Sequence, residues 1–302
     1  MVEAADGMTD YPGPLHDGAA PTERIVMSDC CKFGMRASAS DLEYEIFVYV
    51  PDVPPPPTGF PVLYVLDANA DFVTVAETVR RISRRPLATG IGASIVVGIG
   101  YPNTTSYDID RRYYDFTRGP PAEMPTAEPI TARCGGQLAY VGFLAEQLLP
   151  YISTHFNAHP HCRTLLGHSL AGYFVLEVMA QYPDLFDGYV SFSPSIWWNP
   201  QELTGALENG RNVGSSRRLY IAAGRWEQEL APWQKREDFS NQYHEVRRAR
   251  RMIDNAREFA TQADLSFGAD LQVKFDVGDE EDHSTIVTTM LCRALRFVGA
   301  AS

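Results

Sequence analysis

The chain has 302 residues, 45% of them apolar, enough to bury one large core. Its 26 basic and 38 acidic side chains give a formal charge of −12, which argues against a polyanionic partner such as nucleic acid. No apolar run approaches the roughly 20 residues of a membrane span, which argues against a membrane protein.

Residues 1–22 carry Asp, Gly and Pro but no apolar core of a signal peptide. They read as a flexible segment ahead of a single folded domain at 23–302. The five cysteines are odd in number and lack metal-ligand spacing, so they read as reduced thiols of a cytoplasmic protein.

Residues 43–50 are rich in β-branched and aromatic side chains with partial alternation. They predict an antiparallel strand, paired with 24–28 in an N-terminal hairpin. The proline run at 51–57 reads as a connection. Residues 61–67 and 94–100 are nearly continuous apolar runs, as expected of parallel strands buried on both faces. Helical spacing at 72–83 lies between them. Residues 101–136 show no clear periodicity and follow a central strand, so they read as a lid-like loop overhanging the site. Further helices are predicted at 138–156, 173–182, 243–261 and 285–298, and strands at 164–166, 188–192, 219–223 and 271–277. Repeated βα alternation after a hairpin predicts an α/β fold with a mostly parallel central sheet flanked by helices. Its site should lie beyond the carboxyl ends of the strands.

One hexapeptide carries chemistry. Gly167-His168-Ser169-Leu170-Ala171-Gly172 stands between a strand and a helix. Strand, tight turn with a central serine, then helix is the layout of a nucleophile elbow. The turn lifts Ser169 out of the sheet, and the helix start beneath it favours developing negative charge. A serine needs a general base, and the base an orienting acid, in the chain order serine, acid, histidine. His283, in the loop between the last strand and the last helix, is the expected base. His168, inside the turn, is expected to point away from the serine. Glu227 is favoured as the acid because it follows the strand at 219–223. Glu229, Asp279 and Asp282 remain alternatives, as does a dyad without an acid. The oxyanion hole should use the backbone N–H of Leu170 and a second N–H after the first buried strand, from Asn69. This chemistry needs no cofactor and no metal.

With these residues placed, the chain resembles the esterase-D-like family of α/β-hydrolases, and within it the siderophore trilactone esterases of the enterobactin, bacillibactin and triacetylfusarinine type. The resemblance runs from about Arg24 to Val298. Beyond the elbow it is carried by the Arg-rich segment at 107–117, by Ser-Pro-Ser-Ile-Trp-Trp-Asn at 193–199, by Gly135-Gly136 and by Leu66-Asp67-Ala68-Asn69. It implies ester hydrolysis through an acyl-enzyme on Ser169, with a small-molecule ester, a ferric siderophore, as substrate and the iron arriving with it. It also implies that Arg111, Arg112, Trp197 and Trp198 shape the substrate pocket. A general carboxylesterase, an acyltransferase and a non-catalytic binding protein on the same fold are the other readings. The chain departs from the family at two glycine positions, held here by Ala68 and Ala171. If position 68 required φ > 0, alanine would cost about 1 kcal/mol or more.

Overall fold

The computed structural model describes residues 27–102, 106–122, 132–208, 217–234 and 241–299. The apolar runs become strands of one sheet. Its members are β1 (Cys30–Arg36), β2 (Glu43–Tyr49), β3 (Phe60–Leu66), β4 (Ile95–Gly100), β5 (Ala158–His168), β6 (Gly188–Phe192), β7 (Arg217–Gly224) and β8 (Leu271–Gly278). Their order is β1-β2-β4-β3-β5-β6-β7-β8. β2 pairs antiparallel with β1 and β4; every pairing from β4 to β8 is parallel. In β3, Val62, Tyr64 and Leu66 enter one core while Leu63 and Val65 enter the other, which is why the run is continuous and not alternating.

Ten helices are described: α1 (Ala68–Ile82), α2 (Pro86–Thr89), α3 (Ile109–Phe116), α4 (Gln137–Phe143), α5 (Leu149–His155), α6 (Leu170–Gln181), α7 (Pro200–Glu208), α8 (Asn241–Arg250), α9 (Met252–Phe267) and α10 (Ile286–Val298). α1 and α10 close one face of the sheet. α4, α5, α6, α7 and α9 close the other. α6 is buried from Leu170 to Ala180, as suits a central helix between sheet and outer helices. No helix of the described residues is long and apolar enough to cross a membrane. The five cysteines are free thiols.

Four expectations need correction. The partner of β2 is β1, in register from Cys30↔Tyr49 to Arg36↔Glu43, and not 24–28. β1 is an edge strand exposed on much of both faces, so its polar sequence hides its period. The segment at 101–136 contains a helix, α3, capped by Asp108, whose side chain accepts from the Arg111 N–H at 3.0 Å. Two turns are too short to reveal periodicity. The long helix at 243–261 is two helices, α8 and α9, broken at Arg251 with φ 45°. No proline or glycine marks that break. The expected helix at 138–156 also passes through a π segment, Leu144–Leu148, just before Pro150, which has no N–H to donate to the α-helical ladder. The segment expected to be flexible, 1–22, and much of the expected lid, 103–105 and 123–131, lie outside the described residues.

Candidate active site

β5 ends at His168 and α6 begins at Leu170, so Ser169 alone makes the turn. Its φ of 61° and ψ of −117° are strained for a residue with a side chain. Neighbouring glycines let the chain turn there. A Cβ on Gly167 would lie 2.5 Å from the carbonyl oxygen of Ala171, and one on Gly172 2.9 Å from that of Phe192. Ala171 is fully buried, and the elbow forms with alanine in place of glycine.

Three carboxyl-end loops meet at this turn. Ser169 Oγ lies 2.9 Å from His283 Nε2, and His283 Nδ1 lies 2.7 Å from Glu227 Oε2. Glu227 ends a 3₁₀ turn, Arg225–Glu227, directly after β7. Its second oxygen, Oε1, accepts the Gly224 N–H at 2.6 Å and the Ser193 hydroxyl at 2.5 Å. The carboxylate is 1% exposed and the His283 side chain 43%, so the acid is shielded while the base is open to a substrate. The two loops are tied together, since the Trp226 N–H donates to the Glu281 carbonyl at 2.9 Å.

The other candidate acids are engaged or outward. Glu229 is exposed. Asp279 pairs with Arg225 at 3.2 Å. Asp282 accepts the N–H groups of Ser284 and Thr285 at 2.8 and 3.1 Å, ahead of α10.

Two contacts were not anticipated. The buried ring of His168 bonds through Nε2 to the His283 carbonyl at 2.7 Å. A carbonyl only accepts, so His168 is the Nε2–H donor. Burial, reinforced by the nearby His283, pushes its pKa down to about 3, so it stays neutral. Ser195 places its Oγ 3.3 Å from Ser169 Oγ, and its N–H donates to the Ser169 carbonyl at 3.0 Å. The only available signal was adjacency: His168 precedes the nucleophile, and Ser193 and Ser195 follow β6, the strand beside β5.

Leu170 opens α6, where the first N–H groups have no intrahelical acceptor. Asn69 stands in the first turn of α1. Its side chain takes the Tyr101 N–H at 2.7 Å and gives a bond to the Tyr101 carbonyl at 3.0 Å, which ties the start of α1 to the end of β4. The left-handed residue at this corner is Asp67, with φ 52°. Ala68 is already helical, so its Cβ is unstrained. It packs where a Cβ on Gly98 would come within 2.6 Å.

The other four candidate residues part company. Arg112 Nε bonds both oxygens of the buried Asp67 at 2.9 Å. Arg111 lies 4.8 and 4.9 Å from the ring centres of Tyr44 and Tyr101, and 3.5 Å from Asp115. Trp198 is buried against Tyr113 and donates to the Gly119 carbonyl at 3.0 Å. Trp197 is half-buried, with the Arg250 guanidinium 4.8 Å above its ring. Arg111, Arg112 and Trp198 thus have internal partners; Arg111, Arg112 and Trp197 are each partly exposed, and Trp198 is buried.

This arrangement provides a nucleophile, a base that can take its proton and an acid that orients the base. Comparison with known proteins agrees with that chemistry. Residues 37–285 match the family model described as "Putative esterase". The chain is 33% identical over 262 residues to the ferri-bacillibactin esterase BesA of Bacillus subtilis, covering 84% of each. It is 33% identical over 253 residues to a siderophore enterobactin esterase of Emericella nidulans, covering 80% of this chain and 82% of that one. The structure resembles that of the BES protein from Bacillus cereus with a TM-score of 0.77 and 28% identity, covering 93% and 98% of the two chains. The chain belongs to this esterase family, with an α/β-hydrolase fold, and is a carboxylic-ester hydrolase.

Proposed function

We propose that the protein is a serine esterase that opens the ester bonds of a trilactone-type siderophore inside the cell, so that the iron carried by the substrate is released. The observation that carries the mechanism is the relay from Ser169 Oγ to His283 at 2.9 Å and from His283 to Glu227 at 2.7 Å. The names of the two curated relatives support the substrate class.

In this reading Ser169 Oγ attacks the ester carbonyl and His283 Nε2 takes its proton. Glu227 accepts from Nδ1–H throughout and stabilises the imidazolium that forms. The carbonyl oxygen becomes an oxyanion held by the backbone N–H groups of Leu170 and Asn69, at the starts of α6 and α1. His283 then protonates the leaving alcohol. Water, activated by the same imidazole, cleaves the acyl-enzyme and regenerates Ser169. Trp197 offers the substrate a flat apolar surface. Arg111, Arg112 and Trp198 shape the pocket, each held by an internal partner.

Product analysis by mass spectrometry tests this reading. The panel is ferric and iron-free trilactones beside short-chain aryl esters, with and without an added alcohol acceptor and with Ser169→Ala as control. Serine-dependent trilactone opening, faster than aryl-ester cleavage, is the expected result. Aryl-ester cleavage alone would remove the siderophore substrate, and transfer to the added alcohol would make the protein an acyltransferase.

A further inference from the structure

The chain is acidic as a whole, yet one end of it is basic. From Thr78 to Tyr107 the sequence holds four arginines and no acidic residue, and after Asp282 it holds Arg293 and Arg296 and no acidic residue. The fold joins these two stretches. Arg80 and Arg81 stand in the last turn of α1, and Arg296 in the last turn of α10. Arg296 Nε donates to the Thr89 carbonyl at 2.9 Å, which ties the end of α10 to α2. The Thr89 hydroxyl bonds the carbonyls of Ile82 and Arg85 at 3.0 and 3.1 Å, so the turn from α1 into α2 is fixed.

Arg80 pairs with Glu77 at 2.7 Å. Arg81, Arg84 and Arg85 are exposed, and among the described residues no carboxylate forms an ion pair with any of the three. Beside them Pro86, Leu87 and Ala88 face solvent, and Leu87 is fully exposed. A helix C-terminus favours cations, which accounts for Arg81 and Arg296. It does not account for Arg84 and Arg85, which lie past the end of α1, nor for an apolar tip among them.

We propose that this end of the molecule docks on an anionic lipid surface, with Leu87 entering the interface and Arg81, Arg84, Arg85 and Arg296 meeting the phosphate headgroups. The contact is peripheral and independent of the siderophore reading. The net charge of −12 does not forbid it. Charges are screened beyond about 8 Å at physiological ionic strength, so acidic groups on the rest of the molecule count for little at a surface that these arginines touch. An acidic protein would use the arginines alone, and the exposed leucine at their centre favours lipid. The placement also suits a working enzyme. α1 has 15 residues, so it is about 22 Å long, and the patch stands roughly 20 Å from Asn69 at its start. α10 begins three residues after His283 and ends at the patch. A molecule docked this way turns Ser169 and His283 away from the lipid.

The test is co-sedimentation of the full-length protein with vesicles of equimolar phosphatidylglycerol and phosphatidylcholine, beside vesicles of phosphatidylcholine alone. Binding to the anionic vesicles only, weakening as salt is raised, is the expected result. Each arginine near an anionic leaflet contributes about fivefold, so the triple substitution Arg81→Gln, Arg84→Gln and Arg85→Gln should lower partitioning by about 10²-fold. Leu87→Ser should lower it by about tenfold. Aryl-ester turnover should be unchanged in both variants, which also shows that they fold. No binding to anionic vesicles, or equal partitioning of wild type and the triple variant, overturns the inference. A loss with the triple variant but none with Leu87→Ser overturns docking on lipid and makes the patch a face for an acidic protein.

Discussion

The imidazole of His168 donates its Nε2–H to the backbone carbonyl of His283 at 2.7 Å, so the residue before Ser169 holds the loop that carries His283. The two rings lie 4.6 Å apart. In the proposed mechanism His168 touches no reacting atom and acts as a positioning residue. Its replacement should act through geometry, because small misplacements of a catalytic group cost large factors in rate. His168→Phe is expected to lower kcat on an aryl ester by about 10–10²-fold with little change in KM. His168→Gln, which keeps a donor near the Nε2 position, should recover part of the loss. If both variants retained wild-type kcat, the contact would have no positioning role.

Glu227→Gln should be more damaging than its small change in shape suggests. Oε1 receives two donors, the Gly224 N–H and the Ser193 hydroxyl. An amide must give its oxygen to them, which turns its NH₂ towards His283 Nδ1. That stabilises the wrong tautomer, with the proton on Nε2 and no base facing Ser169. A fall in kcat of roughly 10³–10⁴-fold is expected. Exposed Glu229→Gln should change kcat by less than about twofold, as surface substitutions usually do. Steady-state kinetics of the two variants together distinguishes the two glutamates, and a larger loss for Glu229→Gln would reverse their roles.

Arg112 should announce itself in stability before substrate binding. Burial raises the Asp67 carboxyl above the usual range, and Arg112 is what opposes it. Arg112→Ala leaves that carboxyl alone in the interior and should cost about 3–5 kcal/mol in urea unfolding. Asp67→Asn keeps a residue that tolerates the left-handed backbone and an oxygen that can accept from Arg112, but it leaves that largely buried guanidinium without its anion, so it too should be destabilised. An Arg112→Ala protein of wild-type stability with a raised KM would instead make Arg112 a substrate contact.

Glu177 gives the fold a pH-dependent component. It is 1% exposed, accepts from Tyr173 at 3.2 Å and lies 3.5 Å from Arg118. Burial, against the pull of Arg118, raises its pKa from 4.5 to about 7. Between those values the folded protein binds more protons than the unfolded chain, so stability falls as pH rises through that window. Glu177→Gln cannot titrate. Its stability relative to wild type should therefore improve from pH 5 to pH 8, by on the order of 1–3 kcal/mol. Denaturant unfolding at the two pH values checks this, and a pH-independent difference would show that Glu177 is not protonated in the fold.

Much of the architecture was legible because it rests on local patterns. Continuous apolar runs at 61–67 and 94–100 announce strands buried on both faces. Small residues around Ser169 announce a turn into which a helix must pack. His283 was readable because a loop after the last strand can reach the elbow only at the carboxyl end of the sheet. Short or polar elements left no such signal: β1 on its exposed edge, the two turns of α3 and the break at Arg251.

Within the site, sequence alone determined which residue types could meet and in what chain order. Tertiary structure decided which of them do. Glu227 and not Glu229 reaches His283, because the turn after β7 buries one and leaves the other in water. The strained backbone fell on Asp67, so Ala68 carries no penalty. Arg111 and Arg112 found internal carboxylates on Asp115 and Asp67. Spacing along a chain constrains neighbours within a few residues. Whether a charge is neutralised depends on groups brought from distant segments, and only the packed fold brings them together.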